Sequence, residues 1–123
     1  MKKITIICVL FFSNLMAFAQ TSLSAGDIAF VGVSTDGATD ADDSFAFVLL
    51  KDIEANTTIT FTDRGWNDAT GFVEPLAIGD GEFTWTASSA LGAGEVVILD
   101  FSNMSPGAAS FTVLGDQLFA IQG

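Results

Sequence analysis

Apolar residues in this chain recur with a period of two or in short solid runs, and never with a sustained period of 3.6. Side chains on a strand point to alternate faces, so period two marks a half-buried strand, whereas a helix needs apolar residues three and four apart. Thr57 to Thr62 alternates cleanly, with Ile59 and Phe61 inward and Thr58, Thr60 and Thr62 outward. Glu82 to Thr86 does the same, with Phe83 and Trp85 inward. Ser44 to Lys51 puts Phe45, Phe47 and Leu49 on one face and Ala46, Val48 and Leu50 on the other. Two apolar faces predict a central strand covered on each side. Asp27 to Val33, Glu95 to Phe101, Phe111 to Leu114 and Gln117 to Ile121 read as further strands.

Between these runs lie clusters rich in Gly, Asp, Asn and Ser: Ser34 to Asp43, Asp63 to Asp80, Ser88 to Gly94 and Ser102 to Ala109. Their side chains favour turns, by hydrogen-bonding their own backbone or by tolerating a left-handed conformation. Six or seven short strands in about a hundred residues, with no helical window to support a βαβ unit, predict an all-β, two-sheet β-sandwich. No internal repeat, low-complexity tract or linker interrupts it.

The N-terminus sets the compartment. Lys2 and Lys3 precede an apolar run from Ile4 to Phe12 broken only by Thr5, and Ala17-Phe18-Ala19 has the small-x-small pattern of a signal peptidase site. A membrane span needs roughly 20 apolar residues, and this stretch is shorter and interrupted by Ser13-Asn14. Residues 1–19 therefore read as a cleaved signal peptide and residues 20–123 as one small module, secreted or held at the cell surface, with no membrane insertion after cleavage. Cys8, the chain's one cysteine, leaves with the signal, so the mature module forms no disulfide. Two bases, Lys51 and Arg64, then stand against 15 acids, a charge of −13. Nucleic acid and anionic membrane surfaces are recognised through cations, which excludes both as partners.

The catalytic inventory is sparse. The chain has no His and no Tyr, and the mature part has no Cys, which removes the usual general base, the thiol nucleophile and most zinc chemistry. Ser and Thr are plentiful, but no Gly-x-Ser-x-Gly elbow is present. Lys51 ends a strand beside Asp52 and Glu54 and reads as a surface lysine. Paired carboxylates leave a hydrolase as a distant third reading, because no pair stands out. Asp36, Asp40, Asp42 and Asp43 fall within eight residues, beside the oxygens of Ser34, Thr35 and Thr39. Calcium takes six to eight hard oxygen ligands, and these four aspartates are the candidate ligands of a calcium site. The plainer reading, a solvated turn capped by its own side chains, is the one their spacing favours. Trp66 sits among polar residues, after Asp63-Arg64-Gly65 and before Asn67-Asp68. It is the candidate ligand-binding residue, for a sugar ring or a protein partner. The competing expectation, favoured for so small a core, folds its ring back over the open end of the sandwich. Arg64 is expected to pair with a neighbouring aspartate.

Three segments carry a family likeness. Ile59-Thr60-Phe61-Thr62-Asp63-Arg64-Gly65-Trp66 resembles the strand-plus-turn element of lamin-tail-like domains of secreted bacterial proteins. Leu91-Gly92-Ala93-Gly94-Glu95-Val96-Val97-Ile98 resembles the Gly-Glu turn that opens a later strand there, and Gly115-Asp116-Gln117-Leu118-Phe119-Ala120 the start of the closing strand. The resemblance spans most of Ala25 to Gly123 and implies an immunoglobulin-like β-sandwich serving as an accessory, tethering or adhesion module. It brings no catalytic residues. The leading expectation is a non-catalytic secreted or cell-surface module for tethering or adhesion, part of a larger extracellular protein, with an extracellular protein or glycan surface as partner. The alternative is a carbohydrate-binding module whose acidic loop is stabilised by calcium. The apolar end of the chain, Leu118 to Ile121, suits an interior strand, so the gene product is expected to continue beyond Gly123. Cleavage after Ala19 predicts an exported form whose intact mass matches Gln20 onward; a mature form retaining Cys8 would show the leader assignment to be wrong.

Overall fold

The computed structural model describes residues 19–36, 42–73, 81–100 and 117–122. The leader, the expected strand Phe111 to Leu114 and the turn Ser102 to Ala109 lie outside the described residues. Eight strands are seen: β1 (Ile28–Ser34), β2 (Ser44–Leu49), β3 (Thr58–Thr62), β4 (Trp66–Asn67), β5 (Gly71–Phe72), β6 (Glu82–Thr86), β7 (Val96–Asp100) and β8 (Phe119–Ile121). One antiparallel sheet has the order β1-β2-β7 and a second the order β6-β3-β8, while β4 and β5 form a separate two-stranded ribbon. The described part is all-β, and none of it is a helix long and apolar enough to cross a membrane.

The alternation read from the sequence sets which faces meet. Phe45, Phe47 and Leu49 of β2 and Ile59 and Phe61 of β3 are buried, joined by Ile53 and Ala87. These residues pack the two sheets face to face. The ring of Phe61 lies 5.0 Å from Phe45, 5.2 Å from Phe47, 6.0 Å from Phe83 and 6.1 Å from Phe30, centroid to centroid. Trp85 meets Phe47 edge-on at 5.4 Å. Such pairs contribute roughly 0.5–1.5 kcal/mol each beyond their area burial. The chain passes from the first sheet to the second between β2 and β3, where Ile53 pairs with Leu91 in an isolated bridge. Asn56 there takes φ +66°, a left-handed position that asparagine tolerates better than most residues. Gly94, at φ +94°, gives the Gly92–Glu95 turn its left-handed residue, and its N–H bonds to the Leu49 carbonyl so that β7 enters beside β2.

Three expectations change. The second face of β2 is not covered: Val96 and Ile98 lie opposite Val48 and Ala46 on it and are 55% and 70% exposed, because nothing among the described residues packs there. Thr62, expected outward, is buried, since its hydroxyl donates to the Gly81 carbonyl and accepts from the Arg64 N–H. Trp85 does point inward but is only half-buried, because among the described residues β6 is an edge strand.

The segment before β1 is tied down by side chains. Gln122 accepts the Leu23 N–H and donates to the carbonyls of Thr21 and Thr58. Lys51 donates to the Ser22 carbonyl at 2.9 Å and pairs with Asp27 at 3.3 Å. The Ser24 N–H, donating to Asp27, holds that carboxyl below its usual range, and Lys51 adds to the effect. A carboxyl lowered in the fold stabilises it above the unfolded value and loses that contribution as pH falls through the folded one. Where β1 and β8 approach each other, Leu23, Ile28, Phe30, Ile59, Leu118 and Ala120 help line an open groove of about 460 Å³. Phe30 is 40% exposed there although it is paired with the fully buried Phe47.

The packing predicts that Phe61→Ala lowers the unfolding free energy by about 3–5 kcal/mol, the range for deleting a buried aromatic. Trp85→Ala should cost less. Denaturant titrations giving the reverse order would move the centre of the core away from Phe61.

Candidate functional site

At the end of β3 the chain turns polar yet stays inside. Thr62, Asp63 and Arg64 are all buried, so each polar group there needs a partner. The Gly81 N–H donates to Asp63 Oδ1 at 2.6 Å, and the Thr62 hydroxyl donates to the Gly81 carbonyl at 2.7 Å. Arg64 Nη2 donates to the Val73 carbonyl at 2.9 Å, the Val73 N–H donates to the Gly65 carbonyl, and Arg64 Nη1 lies 3.6 Å from Glu82 Oε2. Residues 62–65 thereby hold Val73, just after β5, and Gly81, just before β6. The ionic contact itself contributes little, because Glu82 is half-exposed and screened by solvent. The hydrogen bonds from the buried guanidinium are the stronger element. Among the described residues Arg64 is partnered by Glu82, Val73 and the Phe72 ring, which the sequence did not indicate.

On this base stands the β4–β5 hairpin, inside a stretch that the sequence presents only as a turn cluster. Trp66 pairs with Phe72 and Asn67 with Gly71. The Thr70 N–H closes a turn on the Asn67 carbonyl, Asn67 Oδ1 accepts the Ala69 N–H, and Gly71 at φ +81° turns the chain back. Three residues, 68–70, join the paired Asn67 and Gly71, and glycine takes the left-handed conformation that follows them without steric cost. The Trp66 ring lies against Gly71, at ordinary contact distance from where a Cβ would stand, so it is the positive φ and not lack of space that calls for glycine here. Two-residue strands are too short to show periodicity. The signal that was present is an Asn and a Gly four residues apart between two aromatics, Trp66 and Phe72.

The indole does not fold away over the sandwich. Trp66 is 50% exposed, which overturns the favoured expectation and leaves the ring available for contact. It is held on several sides. Phe72 meets it edge-on at 4.9 Å, Phe119 of β8 lies 6.4 Å away and 5.3 Å from Phe72, and Nε1 donates to Asp68 Oδ1 at 3.0 Å. Arg64 sits 5.5 Å from the centre of the Phe72 ring, a cation–π contact from below. The result is a fixed aromatic ridge with Asn67, Asp68 and Thr70 exposed beside it.

The acidic segment is described only in part, residues 37–41 lying outside the described residues. Asp36 and Asp42 are exposed, Asp43 is buried, and Asp40 lies outside the described residues. Asp36 accepts the Ser34 hydroxyl at 2.6 Å, which holds its carboxyl below the usual range. Among the described residues no three acidic, histidine or cysteine side chains are grouped to hold a metal ion.

The described residues thus form an all-β arrangement of antiparallel sheets with an exposed aromatic hairpin. Comparison with family models, with curated proteins and with solved structures finds no match to this chain.

The buried base predicts that Arg64→Ala lowers stability by roughly 2–3 kcal/mol, the value of hydrogen bonds made by a charged group. Trp66→Ala is expected to cost less. Chemical denaturation placing Arg64→Ala within about 0.5 kcal/mol of the parent, the range of neutral surface changes, would show that the hairpin does not depend on this base.

Proposed function

We propose that this chain is a non-catalytic, secreted or cell-surface module for tethering or adhesion, and that it makes contact through the Trp66 hairpin. The observation that carries the reading is the exposed indole, held by Phe72 and Asp68 just beyond the end of β3. A large apolar ring left half in water loses burial energy that a core of this size would otherwise gain, and fixed aromatics of this kind dominate recognition surfaces. An immunoglobulin-like arrangement of the two sheets, as lamin-tail-like domains have, belongs to the same reading. So does the leader, which sends the module out of the cell. Absence of His from the whole chain supports the non-catalytic part.

Sedimentation of the labelled chain with intact cells of the source organism tests it. Saturable retention is expected, falling about thirtyfold for Trp66→Ala, which is the loss of a 2 kcal/mol anchor. Retention that Trp66→Ala leaves unchanged would move the contact elsewhere, and no retention at all would dismiss adhesion.

A further inference from the structure

We infer that the Trp66 hairpin binds a neutral glycan, stacking a sugar ring on the indole. This rests on the reading of the hairpin as the contact surface and names its ligand. The first reason is shape. The free apolar area at the hairpin is one indole ring and the small side chain of Val73, because Phe72 and Phe119 behind the ring are partly buried. A stable protein interface needs roughly 800 Å² from each partner, with several apolar anchors. One flat ring with a polar rim matches the apolar C–H face of a sugar and its ring of hydroxyls. The electron-rich face of an indole attracts the slightly positive C–H groups that such a sugar face presents.

The second reason is the rim. Asn67 carries an amide with donors and an acceptor, Asp68 a carboxylate that can accept at several lone pairs, and Thr70 a hydroxyl. All three are exposed beside the ring. Asp68 spends one oxygen on the indole N–H, which fixes both the ring and the carboxylate in place. Sugar hydroxyls, which donate and accept together, suit such a mixed set.

The third reason is charge. The mature chain's two cations are both engaged: Arg64 is buried beneath Phe72, and Lys51 is tied to Ser22 and Asp27. Asp68 is the charged group at the hairpin rim, and the mature chain carries −13. Uronate-rich or sulfated chains would be repelled, so the glycan is uncharged.

Trp66 and Trp85 are the chain's two tryptophans, so in the full chain bearing Trp85→Phe all indole emission comes from the site. Cellohexaose, mannohexaose and N-acetylchitohexaose serve as neutral probes, with polygalacturonate as the anionic one. At least one neutral hexaose is expected to shift the Trp66 emission saturably. Titration calorimetry of the unsubstituted chain should give the same affinity, which guards against any weakening of the fold by Trp85→Phe. Trp66→Ala should lower that affinity at least tenfold while the chain stays folded, its thermal midpoint falling less than that of Arg64→Ala, and polygalacturonate should not bind. Silence with all three neutral hexaoses at millimolar concentration overturns the inference, as does binding that survives Trp66→Ala or is matched by polygalacturonate. If cell retention still depends on Trp66 while no glycan binds, the ligand is a protein and only this inference falls. If retention is also absent, the adhesion reading falls with it.

Discussion

The described core is centred on Phe61, whose ring meets Phe30, Phe45 and Phe47 of the opposite sheet and Phe83 of its own. Phe61 sits on β3, which is hydrogen-bonded to β6 on one side and β8 on the other, and it faces Phe45 and Phe47 of β2, itself the middle strand of the opposite sheet. A sandwich this small has only a thin layer of apolar contacts between its sheets, so the central pair of strands supplies most of what orders the rest. The edges are correspondingly less buried: Phe30, Phe83 and Trp85 touch the central rings but keep part of their surface in water.

Rigidity at Phe61 is carried outward along β3. Thr62, Asp63 and Arg64 follow it directly and remain buried, so their hydrogen bonds to Gly81 and Val73 start from a backbone that cannot shift. A buried polar group with one partner missing costs more than the bond it makes, which is why this cluster has to form as a unit. The hairpin that presents Trp66 is therefore anchored through the core. A two-stranded ribbon is marginal by itself in water. Here Arg64 under Phe72, and Phe119 from β8, supply the packing it lacks.

What could be read in the sequence follows from where the information lies. Alternation is local, so the inward faces of β2 and β3, and the inward direction of Phe83 and Trp85, were legible. Depth is not local. Thr62 is buried by Gly81, nineteen residues away, and Ile98 is exposed because its sheet has no described neighbour on that face; neither follows from the residues around it. The hairpin was hidden for a different reason, since two strands of two residues leave no period to detect, only the turn chemistry of Asn67 and Gly71. Trp66 is half exposed where economy of burial argued for an inward ring, and its pairing with Phe72 across the hairpin is visible only once the register is known.

The charge pattern then has a structural meaning. An acidic chain with few bases can place them on the surface, where they soften its field, or use them inside the fold. This one engages Lys51 and Arg64 in holding its own fold: the buried Arg64 locks the hairpin base, and Lys51, at the surface, ties the segment before β1 to the end of β2. Both contacts lie in parts of the molecule that a two-sheet core alone does not reach. The surface consequently carries a nearly unrelieved negative field, which resists self-association and repels anionic partners. On such a surface, recognition has to come from something other than ion pairing. The exposed indole, with its quadrupole and its hydrogen-bonding rim, is the group on the described surface best suited to supply it.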